Sequence, residues 1–267
     1  MKTKSNEYLD DYSFCLFRIP KDGARVIWEI TNLCNYTCSY CIFSSDSKEI
    51  PEELNTNEVF NALDDLKSAN FTHLKFTGGE PFARNDFMNI LEKSKNLGFI
   101  IDVSTNASLI DSEKASKLKD YNLQMVHVSV DGHDKITHEE VRGYNTYDRT
   151  ITGLKNLVEN DIYVRIGTVI FKGNENRLEN MIQSAVSLGV NEIIFSFMEP
   201  VGKIKNNDSL ISKRSISNVK SEIEALAESY KDYIIVNHSF NEEVKNYENG
   251  TCPAVNKFLF IDNLGKV

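Results

Sequence analysis

Long hydrophobic runs are missing from this chain. No stretch of about 18 or more apolar residues occurs, which excludes a helix that crosses a bilayer, and the opening residues Met1 to Asp11 are polar and acidic rather than basic and then apolar, so they do not read as a secretory signal. A surplus of positive charge is also lacking: 30 Lys and Arg stand against 39 Asp and Glu, a formal net charge of −9. Nucleic-acid binders gain affinity from clustered cations that neutralise phosphates, so this balance argues against that class. Cysteine is scarce, five in 267 residues, an odd number with three of them within eight residues. That is a poor disulfide framework, and with nothing pointing to secretion the clustered thiols point to metal in a reducing, cytoplasmic setting. Proline and tryptophan are few, five and one. No Ser-His-Asp arrangement, P-loop or HExxH motif is present, so conventional hydrolase readings lack support.

What is present is alternation. Apolar, β-rich runs recur at Ala24–Ile30, Thr72–Thr77, Phe99–Thr105, Met125–Val130, Tyr163–Ile170 and Glu192–Met198. Helical periodicity fills Asn55–Ala69, Asp86–Leu97, Ser112–Asp120, Tyr147–Asn160 and Asn176–Leu188. Thr56 or Asn57 is placed to cap the first helix, and Gly98 and Gly189 follow two others where a left-handed residue commonly ends a helix. Six such units imply parallel strands joined by right-handed crossovers, either a doubly wound sheet or an open barrel. With 41% hydrophobic residues, the chain can bury one large core. Beyond Pro200 the pattern changes to a helix at Ile216–Tyr230, a strand at Tyr233–Asn237, an irregular segment holding Cys252, and a short hairpin within Lys257–Val267.

Directly after the first strand come Cys34, Cys38 and Cys41, spaced C-x3-C-x2-C. A loop of this length lets three thiolates turn toward one point. Structural zinc and ordinary cubane clusters take four protein ligands, and neither Cys15 nor a nearby histidine is spaced to be the fourth. Three ligands leave one corner of a cluster open to a chelating co-substrate, while a zinc site with a distant fourth ligand and incidental thiols stand as alternatives.

The run Trp28–Cys41, WEITNLCNYTCSYC, resembles the cluster-binding signature of the radical S-adenosylmethionine (SAM) enzymes, including the aromatic Tyr40 before the last cysteine. The resemblance runs from about Ala24 to the C-terminus and implies a partial (β/α)6 TIM-like barrel, an α/β fold, with a short C-terminal extension. In domain terms, residues 1–21 are a lead-in, 22–210 the barrel, and 211–267 a helix and the start of a SPASM- or twitch-like extension that reads as interrupted.

The family pattern also gives meaning to turn residues that are individually ordinary. Gly78-Gly79-Glu80 ends the second strand; glycine pairs mark tight turns, but the matching family motif meets the methionine amino group of SAM. Ser104 and Asn106 end the third strand and are expected near the cofactor. Ser129 and Asp131 end the fourth and are placed to bond the ribose hydroxyls or the carboxylate. Arg142, whose fork suits a carboxylate, is expected on the methionine carboxylate, with solvated surface arginine as the bland reading. Thr168–Ile170 and Phe197–Pro200 are expected around the adenine, and His127 reads as a barrel-interior residue.

The resemblance implies one [4Fe–4S] cluster and SAM as cofactors, with reductive cleavage of the sulfonium giving a 5′-deoxyadenosyl radical that takes hydrogen from a substrate. Low potential requires an external donor of flavodoxin or ferredoxin type. Gly250–Pro253 and the final run suggest a possible auxiliary cluster involving Cys252 and, through the SPASM likeness, a peptide or protein substrate. A small molecule is the alternative, and a non-catalytic metal-binding module the alternative of another class. With about twenty residues before the first strand, a peptide-recognition module is expected to be a separate protein.

Overall fold

The computed structural model describes residues 24–45, 52–121, 123–205, 208–240 and 258–267. Six strands follow the expected order: β1 (Ala24–Thr31), β2 (Phe71–Gly78), β3 (Ile100–Thr105), β4 (Leu123–Ser129), β5 (Val164–Ile170) and β6 (Glu192–Phe197). They alternate with α1 (Thr56–Ser68), α2 (Phe87–Asn96), α3 (Ser112–Lys119), then α4 (Lys135–Arg142) with α5 (Tyr147–Glu159), and α6 (Leu178–Ser187). Helix α7 (Ile216–Tyr230) leads into β7 (Ile235–His238), and β8 (Phe258–Ile261) lies near the C-terminus. All eight pair in parallel in the order β7-β6-β5-β4-β3-β2-β1-β8. The sheet's edges are β7 and β8, which do not pair with each other, so the barrel is open.

Alternation along each strand sorts the two faces. Val26, Trp28 and Ile30 of β1, Leu74 and Phe76 of β2, Ile101 and Val103 of β3, Val126 and Val128 of β4 face the helices and form the apolar core with Leu63, Phe87, Leu91 and Leu157. The opposite face carries a buried charged layer in which Arg25 meets Asp102 at 3.3 Å and Arg165 meets Glu192 at 3.0 Å. His127 belongs to this layer, and burial first, then Lys75 and Arg165, hold its pKa well below the ordinary value, so it is a neutral barrel residue.

Three local expectations change. Helix α1 is capped by Asn55, one residue before the expected position: its side chain accepts from the backbone of Asn57 and Glu58, and Glu58 returns a bond to the Asn55 N–H, closing a capping box. Helix α4 went unread, and Arg142, read from the sequence as part of a loop motif, is its last residue. The expected C-terminal hairpin is instead a strand of the main sheet: Phe258–Ile261 pairs with Arg25–Trp28, and only a turn through Asp262–Lys266 follows. Gly98 (φ +74°) and Gly189 (φ +73°) end their helices as expected. The lead-in segment and Cys252 lie outside the described residues. Among the described residues no helix is long and apolar enough to cross a membrane.

Candidate active site

The site opens at the carboxyl ends of the strands, where loops have freedom and the sheet supplies a rigid base. A cavity of about 700 Å³ is lined there by Cys34, Cys38 and Cys41 on one side, by Gly78, Gly79, Ser104, Asn106 and Ser129 from β2 to β4, and by an apolar side that includes Val169, Phe197, Met198, Ile216 and Phe240. All three thiols are free and half-buried.

The cysteine loop has no regular structure, so other elements hold it. Glu53 receives Thr31 Oγ1 at 2.9 Å and the Asn32 N–H at 2.6 Å, fixing its start. Asn35 donates to Ser108 at 2.8 Å and accepts from Asn106 at 3.0 Å. The buried Tyr36 hydroxyl donates to the Thr146 carbonyl at 2.9 Å. Ser39 donates its N–H to the Val141 carbonyl at 2.8 Å, tying the second cysteine to α4. Burial pushes the Cys34 thiol up to about 12 and raises that of Cys38, partly offset by Arg142. As metal-free groups these two are neutral thiols; becoming thiolate ligands requires a strong positive charge beside them.

Gly78 and Gly79 are explained by the chain's own packing. A Cβ on Gly78 (φ +126°) would sit 2.2 Å from the Thr31 carbonyl oxygen, and one on Gly79 2.3 Å from that of Leu33. Their lack of side chains lets the end of β2 lie flat on the entry to the cysteine loop, with Gly79 and Glu80 donating to Thr31 and Leu33 at 2.8 Å, while both glycines also face the cavity. Glu80 itself is fully buried behind the lining. Its carboxylate accepts from Thr105 Oγ1 and the Asn106 N–H at 2.7 Å each and from the Phe82 N–H at 3.1 Å. Burial raises it to about 7 against these three donors.

A second knot joins Tyr40, Asp131 and Arg142. Arg142 Nε donates to Asp131 Oδ2 at 2.6 Å, the Tyr40 hydroxyl donates to the same oxygen at 2.5 Å, and Arg142 Nη2 donates to the Tyr40 hydroxyl at 2.5 Å. Asp131 Oδ1 accepts from the Val169 N–H at 2.8 Å. Asp131 is fully buried, Tyr40 and Arg142 line the cavity, and His138, lowered to about 4 by burial, accepts from the Asp131 N–H at 3.4 Å. Thus of the residues named from sequence, Tyr40, Gly78, Gly79, Ser104, Asn106, Ser129 and Arg142 border the cavity with the three cysteines, whereas Glu80 and Asp131 stand behind it as braces. The sequence reading gave no site role to Tyr36, Ser108, Ile216 or Phe240; Tyr36 stands inside the cysteine run, but its partner Thr146 is distant in the chain.

Among the described residues no group of three or more His, Cys, Asp or Glu side chains lies close enough to hold a single metal ion. The three thiols share a cavity rim.

A sequence model of the Radical SAM superfamily matches residues 28–185. The "AdoMet-dependent heme synthase" of Methanosarcina barkeri is 30% identical over 69% of this chain and 53% of its own length. The "Probable GTP 3′,8-cyclase" of Sulfurisphaera tokodaii is 30% identical over 85% of this chain and 75% of its own. Among solved structures, Streptococcus suis SuiB bound to S-adenosylmethionine superposes with a TM-score of 0.74 at 16% identity, covering 92% of this chain and 59% of that one; a SuiB structure bound to precursor peptide SuiA gives 0.71 over the same share of this chain and 58% of that one. The chain therefore spans about half the length of the heme synthase and of SuiB.

Proposed function

The chain belongs to the radical SAM superfamily, which uses a [4Fe–4S] cluster and SAM, and from that membership we propose that it binds one such cluster through Cys34, Cys38 and Cys41 and turns it on a peptide or protein substrate. The observation that carries the cluster reading is that three free, half-buried cysteines line one cavity. The residues fit the group. Two of the thiols are held neutral by burial and ionise only beside a cation, which iron supplies.

When bound, the reduced cluster and SAM supply a 5′-deoxyadenosyl radical. The chain's part is binding and placement. Ser104, Asn106 and Ser129 offer hydroxyl and amide groups toward the co-substrate, and Arg142 faces the cavity with its guanidinium oriented by Asp131 and Tyr40, suited to a carboxylate. Glu80 holds the ends of β2 and β3 together and thereby fixes the glycine pair and Asn106. Val169, Phe197, Met198 and Phe240 exclude water from the other half of the cavity. A low-potential donor of flavodoxin or ferredoxin type completes this reading.

The peptide assignment draws on the C-terminal likeness to SPASM extensions and on SuiB, which has been solved with the precursor peptide SuiA bound. A small-molecule substrate is the second reading, favoured by the curated relatives named for heme synthesis and GTP cyclisation.

Anaerobic reconstitution tests the cluster reading: about four irons per chain, and 5′-deoxyadenosine from SAM after dithionite reduction, are expected. Cys38→Ala abolishes both while the apo-protein melts as before, because the loop lies outside the apolar core. Colourless protein holding one zinc would overturn the reading. A mass change in a co-expressed precursor peptide separates the two substrate classes.

A further inference from the structure

We propose that Gly202 and Lys203, in the segment that follows β6, are positioning residues for the third cysteine, a role that rests on the cluster reading above. The first two thirds of the cysteine loop are anchored by side chains and by α4. Its last third is poorly held by itself: the Cys41 N–H reaches the Cys38 carbonyl, and the Ser44 N–H the Cys41 carbonyl, at 3.4 Å each. Both are at the weak end of the hydrogen-bond range.

What fixes this part comes from far along the chain. The Lys203 N–H donates to the Cys41 carbonyl at 3.1 Å, and Lys203 Nζ donates to the Ser45 carbonyl at 3.1 Å. Ser45 Oγ in turn donates to Asn32 Oδ1 at 2.8 Å, so the clamp closes back on the loop's own beginning. Gly202 sits at φ +60° directly against the ligand loop: a Cβ there would lie 2.4 Å from the Cys41 carbonyl oxygen and 2.5 Å from Ile42 Cα. A glycine serving only its own turn would face open space. This one is flat against the backbone of a ligand residue, where no side chain fits.

The segment is rooted. Ile204 is buried at 1% exposure in a small apolar cluster with Val141, Phe171 and Met198, against which Tyr40 packs. Val201, on the other side of Gly202, lines the cavity with Met198 and Glu199. One stretch of chain therefore forms part of the cavity wall and grips the backbone of the third ligand.

The test compares reconstituted wild type with Gly202→Ala, Lys203→Met and Lys203→Arg. Three measurements are made: the apo-protein melting curve, the rate at which the cluster's charge-transfer absorbance decays under a ferrous chelator, and the EPR spectrum of the reduced cluster. Gly202→Ala is expected to lose its cluster about tenfold faster and to shift the EPR signal. Lys203→Met is expected to do so more mildly with an unchanged apo melting curve, and Lys203→Arg to restore wild-type behaviour. Equal decay rates and spectra in wild type, Gly202→Ala and Lys203→Met would overturn the assignment. If Gly202→Ala fails to fold, the Lys203 pair decides: loss in Met that Arg does not rescue counts against it. Wild type that takes up no iron would sink the cluster reading and this one with it, whereas a stable wild-type cluster indifferent to all three changes sinks the clamp alone.

Discussion

Glu80 shows how a residue can matter to a site without touching its contents. Its two carboxylate oxygens each accept from a backbone N–H, of Phe82 and of Asn106, besides the Thr105 hydroxyl, so an amide nitrogen in either position turns a bond into a donor facing a donor. Glu80→Gln is expected to destabilise the apo-protein by roughly 1–3 kcal/mol, the cost of a buried N–H left without an acceptor, read as a fall in urea midpoint with an unchanged slope. Glu29 gives one part of the pH dependence. Burial and then the charge of Asp262 raise its carboxyl from 4.5 to about 7, so between those values the folded protein keeps a proton that the unfolded chain has released. Its contribution to stability is complete below pH 4.5 and is lost as pH rises through 7. Buried His127 and His138, held below their ordinary value, give the opposite slope below 6.5, and Glu80 the same slope as Glu29. The test is therefore the difference: in urea titrations the stability of wild type relative to Glu29→Gln should fall as pH rises across that window, and parallel profiles would remove Glu29 as a contributor. The three cysteines and the glycine pair were legible because their meaning lies in local spacing. The bonds that aim them were not: Asn106 reaches Asn35 across 71 positions and Tyr36 reaches Thr146 across 110, and nothing local in a sequence records such partners.

At the scale of elements, seven strands and six helices were readable, β7 with its start shifted by two residues, because each buries one face against a common core and so keeps a period of two or of 3.6 residues. Helix α4 escaped for a physical reason. Its buried face is Thr137, His138, Val141 and Arg142, so polar residues committed to the site stand where an apolar stripe would have announced a helix. The cap of α1 was misplaced by one residue because Asn55, Thr56 and Asn57 are all capping types, and only the reciprocal bond from Glu58 selects the first. Asn55→Ala should therefore cost about 1 kcal/mol, visible as a lower melting temperature; Thr56→Ala leaves the cap intact and loses instead the hydroxyl's bond to Asp86 at 2.6 Å. A melting temperature unchanged by Asn55→Ala would mean that the capping box does not set the start of this helix.

The whole molecule depends on a closure that a local reading could not reach. Four residues, Phe258–Ile261, are too short and too apolar to declare a partner, and next to a glycine-bearing turn they read as half of a hairpin. Their partner is β1, at the opposite end of the described chain, through four parallel pairs from Arg25–Phe258 to Trp28–Ile261. The pairing covers the edge of the strand that delivers the cysteine loop, and the turn beyond it reaches the same loop by a second route. Asn263 Nδ2 donates to Glu53 Oε1 at 3.3 Å, the oxygen that receives the Asn32 N–H. Ile261, 5% exposed, seats β8 in the main core. Ile261→Ala should cost about 3 kcal/mol, since it removes buried methyl groups beside Trp28 and leaves a cavity. Because β1 then has a loosened neighbour on one side, those of its amides that bond to β8 should exchange faster while those of β4 and β5 keep their protection. Uniformly faster exchange would instead show that the strand only adds to global stability and has no particular hold on the edge from which the cysteines emerge.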